Sequence, residues 1–128
     1  MKHLNIFILT TCIGLFVNTA HADKPEYIKF EGKHLEHGRS IWLDTCENCH
    51  AYGIADSPNP LVPEDWRKRL EQDAKVLYTH AIDGFFGPDH SMMPAKGGND
   101  SLTDDEVKAA VDYMTELARY YIKSKKEE

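Results

Sequence analysis

Between Thr103 and Tyr121 the apolar residues fall at Val107, Ala110, Val111, Met114, Leu117, Ala118 and Tyr121. Steps of three and four place them on one helical face. Thr103, with Glu106 three residues later, is a capping box and marks where that helix begins. Lys33 to Thr45 carries the same period, with Leu35, Ile41 and Trp42 expected inward and Glu36, Arg39 and Asp44 outward. Glu64 to Glu71 and Asp73 to Phe85 read as two further helices, the second with Val76, Leu77, Ala81 and Phe85 on one face and stopped by Gly84 and Gly87-Pro88. Before the first of these, Gly53, Pro58, Pro60 and Pro63 forbid a long helix and predict a wrapping loop from Tyr52 to Pro63. No stretch alternates for long enough to make a sheet, so the fold class is all-α.

Organisation follows from the same pattern. Lys2 and His3 precede an uncharged, mostly apolar run from Leu4 to Val17, and Ala20-His21-Ala22 sets small residues at both positions a signal peptidase reads. Residues 1–22 are therefore expected to be a cleaved secretory signal peptide. The run is too short for a membrane span. Cys12 lies inside it, and Thr11 before it does not suit a lipoprotein signal. Residues 23–36 form an extended N-terminal lead-in, clearest over 23–31, then a single domain over 37–122 and a charged, solvated tail over 123–128. Removing the signal takes the formal charge from -6 to -7, which argues against nucleic acid or an anionic membrane surface as partner.

The chemistry is concentrated in Cys46-Glu47-Asn48-Cys49-His50. On one helical turn, thiols three residues apart reach the two vinyl groups of a single porphyrin, and the next residue, His50, falls under the iron as proximal ligand. This is a covalent haem c attachment site, one per chain. A redox dithiol would need a βαβ context and a zinc site a second ligand pair, and the sequence offers neither. Both mature cysteines being consumed by haem fits an oxidising periplasm. A chain this short buries little apolar surface by itself, so the porphyrin is expected to supply the missing core.

A second site is Ser91-Met92-Met93-Pro94-Ala95-Lys96-Gly97-Gly98. A thioether is a soft ligand suited to ferrous iron and would raise the reduction potential. Met93 is preferred, because Pro94 biases its predecessor to an extended backbone and so orients that side chain. Met92 remains the rival, and both as gap-fillers against the porphyrin the bland alternative. Met114, on the helical stripe, reads as core. His80 and His90 keep a bis-histidine variant open, although His80 suits a solvent-touching helix position and His90 a loop.

On these residues, together with Tyr78 to Phe85 and Leu102 to Met114, the chain from about Gly38 to Leu117 resembles the bacterial monohaem cytochromes c of class I, and among them the cytochrome c5 group. The resemblance implies a small cytochrome c fold, several helices around one haem. It implies that Pro58, or less well Pro60, offers its carbonyl to the proximal histidine, and that Trp66 and Arg69 lie near a haem propionate. Read from the residues alone, Trp66 is core packing and Arg69 a solvated helix face. The extra cysteine pair of some relatives is absent here. What is implied is a periplasmic one-electron carrier of a respiratory chain, monomeric and without enzymatic activity. Its donor and acceptor are redox proteins, among them a membrane oxidase or reductase. The alternatives are the haem subunit of a larger oxidoreductase, or a five-coordinate haem enzyme or gas sensor in which the methionine is displaced.

Overall fold

Three helical segments run without a break from Lys33 to the end of the cysteine motif. Helix α1 (Lys33–Ile41) passes into one π turn (Trp42–Cys46) and then α2 (Glu47–His50). The computed structural model describes residues 27–88 and 91–126. The expected signal peptide, the first residues of the lead-in and His90 lie outside the described residues. The extended lead-in does not reach residue 36 as expected, because α1 already starts at Lys33.

The last helix, α5 (Asp104–Ser124), opens on the expected capping box. Thr103 Oγ1 accepts from the Glu106 amide at 3.3 Å, and Glu106 Oε2 accepts from the Thr103 amide at 2.8 Å. It runs two residues into the segment read as a tail. Helices α1 and α5 cross at Gly38, where a Cβ would lie 2.0 Å from the Ala109 carbonyl oxygen. That closeness brings Trp42 and Tyr113 into ring contact at 5.8 Å, within a core that includes Ile41, Trp66, Met114, Leu117 and Ala118. Residues 27–30 lie over the crossing. The Tyr27 ring meets Trp42 edge-on at 4.5 Å, and the Tyr113 hydroxyl donates to the Ile28 carbonyl at 2.9 Å. Arg39, expected outside, is half-buried, its guanidinium near enough to Tyr113 across the crossing to oppose the rise that burial gives that phenol.

The single helix expected over Glu64 to Glu71 is two pieces, α3 (Pro63–Trp66) and a 3-10 turn (Arg69–Glu71). Pro63 takes the first helical position, where its missing N–H costs nothing. Helix α4 (Ala74–Asp83) is capped by the Asp73 carboxylate, which accepts from the Lys75 amide. Its inward residues are Ala81, Leu77, Tyr78 and Ile82, packed on Val107 and Val111 of α5. Val76 and Phe85, expected on that face, are exposed. Gly84 at φ 85 turns the chain before Phe85, whose ring stacks on His80 and stays 40% exposed. A short antiparallel ladder follows, β1 (Phe85–Phe86) on β2 (Met92–Met93), pairing Phe85 with Met93 and Phe86 with Met92. With so little strand, the architecture is helical.

Candidate haem site

A cleft of about 380 Å³ opens between these elements. Its wall takes Cys46 and His50 from the motif, Trp66 and Arg69 from the α3 region, Leu77, His80 and Ala81 from α4, and Met93 from β2. Val107, Ala110, Val111 and Met114 of α5 complete it with apolar surface.

His50 is buried, and its Nδ1 donates to the Pro58 carbonyl at 3.0 Å. Of the two prolines considered, it is Pro58 that meets the imidazole. A proton held on Nδ1 leaves Nε2 as the nitrogen with a lone pair, the form that binds metal. Burial lowers the His50 pKa from its ordinary range and the charge of Arg69 lowers it further, while the Pro58 carbonyl opposes them. The net effect keeps the ring neutral. Pro58 is in turn held by Asn59, whose side-chain amide donates to the Ala51 carbonyl at 2.8 Å and whose backbone amide donates to Asp65 at 2.9 Å. Asn59 Oδ1 also accepts from the Leu61 amide. Sequence reasoning missed Asn59; an asparagine between two prolines, able to close a local turn, was the available signal.

Cys46 lies in the cleft wall, and burial, with the neighbouring Cys49 adding, pushes its thiol up to about 11. Cys49 is exposed one turn on. No disulfide joins them. Among the described residues no cluster of three or more His, Cys, Asp or Glu is placed to hold a metal ion.

Strand alternation separates the two methionines. Met93 is half-buried against Ala81, Val107 and Val111, whereas Met92, although it borders the cleft, is 53% exposed. The loop after them is held on both sides. Lys96 donates to the Leu102 carbonyl at 2.7 Å and pairs with Asp104 at 3.0 Å. Gly97, at φ 67, sits where a Cβ would come within 3.0 Å of Thr45 Cγ2, and Asn99 reaches the Thr45 hydroxyl. Thr45, inside the π turn, thus links the attachment helix to the methionine loop. This contact leaves no periodic trace in the sequence.

Trp66 is 2% exposed, and its Nε1 is buried with no hydrogen-bond partner in the protein. A buried donor left unpaired costs about 1–3 kcal/mol, and a propionate oxygen would satisfy it. Arg69 is half-buried beside it, one guanidinium nitrogen donating to the Asp65 carbonyl. It is no freely solvated helix face. His80, expected to touch solvent, lines the cleft and stacks on Phe85 at 4.1 Å. The donor set, the apolar wall and the orphaned indole N–H together fit a porphyrin with its iron.

Comparison with known proteins agrees. The family model described as cytochrome C oxidase, cbb3-type, subunit III matches residues 33–114. The chain is similar to cytochrome c-555 of Prosthecochloris aestuarii, 36% identical over 83 residues, which cover 62% of this chain and 84% of the relative. It is also similar to cytochrome c-555 of Chlorobaculum tepidum, 38% identical over 77 residues, 60% of this chain and 70% of the relative. Among solved structures it is similar to a chain in the crystal structure of an electron transfer complex of nitrite reductase with cytochrome c. That match has a TM-score of 0.57 at 31% identity and covers 65% of this chain and 95% of the other. These relatives support the class I monohaem assignment and are cytochromes rather than enzymes; the likeness to the c5 group rests on the sequence motifs alone.

Proposed function

Because the chain belongs to the cytochrome c family, and so carries covalent haem c, we propose that it is a periplasmic carrier passing single electrons between redox proteins of a respiratory chain. Haem c, when bound, supplies the one-electron iron couple. The observation that carries the proposal is that His50, poised with Nε2 free by the Pro58 bond, and Met93 border one cleft. Cys46 and Cys49 anchor the porphyrin. Trp66, its indole N–H buried without a partner, would donate to a propionate, with Arg69 nearby in the cleft wall. His50 and Met93 would be the two protein ligands of the haem iron, a ligand set that would leave no site for oxygen or peroxide and would suit electron transfer. Burial favours the neutral imidazole, which would hold the iron, and the aliphatic wall of α5 would limit water in the cleft.

Partners are met on exposed apolar side chains of the hairpin and of the loop after the motif. Phe86 (80% exposed) and Met92 stand out from the hairpin, and Tyr52 and Ile54 from the loop after the motif. Such side chains suit brief apolar docking around a haem edge. The acidic groups Glu64, Asp65, Glu71, Asp73, Asp104, Asp105 and Glu106 supply longer-range steering toward a basic face. Among the described residues no helix is long and apolar enough to cross a membrane.

Replacing Met93 by Ala should abolish the weak long-wavelength sulfur-to-iron band and open the ferrous protein to carbon monoxide, while Met92→Ala should change neither; the reverse result would move the ligand to Met92. Mass spectrometry of secreted protein should show a start at Asp23 plus one haem, and retention of residues 1–22 would refute the cleaved signal. The matched description, an oxidase subunit, favours a second reading as the haem subunit of a larger oxidoreductase. Co-purification of stoichiometric partner chains after mild membrane extraction would select it.

A further inference from the structure

One polar knot, away from the cleft, joins the three long helices. Asp112 of α5 accepts from the Tyr78 hydroxyl of α4 at 2.5 Å with one carboxylate oxygen and meets His34 Nε2 of α1 at 2.7 Å with the other. The remaining packing between α4 and α5 is aliphatic and small, centred on Ala81, Val107 and Val111. Contacts of that kind hold α4 close but are non-directional and do not fix its rotation or slide. A hydrogen bond to a carboxylate is directional and stronger than one between neutral groups.

What α4 carries is the methionine strand. Gly84, at the end of α4, lies so near that strand that a Cβ would stand 3.0 Å from both the Met93 carbonyl oxygen and the Ala95 amide. The next residue, Phe85, pairs with Met93 across the ladder. A shift of α4 is therefore transmitted through backbone contact to Met93. The far end of the same loop is held separately, by Lys96 on Leu102 and Asp104.

We propose that Asp112 is a positioning residue for the sixth iron ligand: by binding Tyr78 and His34 together it locks α4 onto the α1–α5 frame, and so holds Met93 in the cleft. This rests on the assignment of Met93 as ligand given above. The role is indirect, since Asp112 does not border the cleft.

The haem-loaded full chain tests it with two readouts, amide hydrogen exchange resolved by residue and carbon monoxide affinity of the ferrous form. Tyr78→Phe keeps the ring and removes only the donated hydrogen. It should speed exchange in α4 and in the ladder of residues 85–93 about tenfold, with amides of residues 107–117 unchanged. Carbon monoxide affinity should rise by the same factor, about 1.4 kcal/mol. His34→Ala, at an exposed position, should act in the same direction by about threefold. Asp112→Asn, which keeps an acceptor for Tyr78, should recover most of what Asp112→Ala loses. A uniform rise in exchange across the chain, or no preferential rise in α4 and the ladder, would overturn the proposal and make the knot ordinary scaffolding. Met93→Ala serves as the reference for the ligand. If that variant leaves carbon monoxide affinity unchanged, the assignment of Met93 fails and the positioning role falls with it, whereas a large rise there with flat exchange in Tyr78→Phe defeats the knot alone.

Discussion

Gly38→Ala is the substitution in which local propensity and tertiary packing oppose each other most directly. In an isolated helix alanine is favoured over glycine by about 1 kcal/mol, so α1 alone would gain. In the folded protein the new methyl would stand 2.0 Å from the Ala109 carbonyl oxygen, 2.6 Å from its carbon and 3.2 Å from Tyr113 Cβ. The first two are main-chain atoms of α5 and cannot rotate away. Relief requires the helices to part by roughly 1 Å, and a gap of that size forfeits about a quarter to a half of the van der Waals well at each contact. The side chains that meet at the crossing include Ile41, Trp42 and Tyr113, all buried, each stabilised by about 1.5–3 kcal/mol through burial. Losing that share of three such side chains costs roughly 1–4.5 kcal/mol, centred on about 3, and subtracting the propensity gain leaves a net loss centred on about 2 kcal/mol. Guanidinium unfolding of the haem-loaded protein, followed by far-ultraviolet circular dichroism, measures it. A variant as stable as the parent or more so would refute the reasoning, because it would mean that propensity outweighs the close crossing.

Three further outcomes follow from the structure. Ala55 adopts φ 53, ψ 42 in the loop bordering the cleft; Ala55→Gly should stabilise by about 0.5–1 kcal/mol, and a loss of stability on denaturant titration would count against stored strain there. Thr103→Ala should cost about 1 kcal/mol by removing the cap of α5. Because the Thr103 amide and then its hydroxyl hold the Glu106 carboxyl below its ordinary value, this support is present above pH 4.5 and fades as pH falls through the lower folded value, so the difference between parent and variant in acid titrations should shrink. Tyr78 is pushed up to about 12, first by its bond to Asp112 and then by burial; its contribution is complete below pH 10 and is lost as pH rises toward 12, so Tyr78→Phe should flatten the alkaline limb of stability against pH.

The cysteine motif and the last helix could be read directly because their signals are local. Thioether and axial chemistry depend on spacing within one turn, and the stripe from Val107 to Tyr121 with the Thr103 cap encodes a helix whatever it later packs against. The extent of α4 was legible for the same reason, yet its inward face was misplaced. The stop at Gly84 was read, but Phe85 beyond it was still counted on the helical face, and spacing alone did not separate Val76 from Leu77 and Ala81. Read from the residues alone, His80 suits solvent and Arg69 a solvated face, because polarity suggests water; the resemblance set Arg69 near a propionate, and both line the cleft, half-buried. Asn59 was passed over because its importance lies in holding Pro58, which only the closed loop reveals.

From residues alone, then, came the helical class, the single covalent haem, the reading of His50 as proximal ligand and the preference for Met93 over Met92, since each rests on chemistry within a few bonds of the residue concerned. Tertiary structure alone decided that Gly38 admits α5, that Thr45 meets Gly97, that the Trp66 N–H is left unpartnered at the cleft and that Asp112 gathers Tyr78 and His34. Those residues stand 34 to 78 positions apart in the chain where they are hydrogen-bonded to Asp112. No local pattern encodes such pairs, because which helices pack together is settled by the apolar surface buried across the whole chain rather than by the residues nearby in sequence.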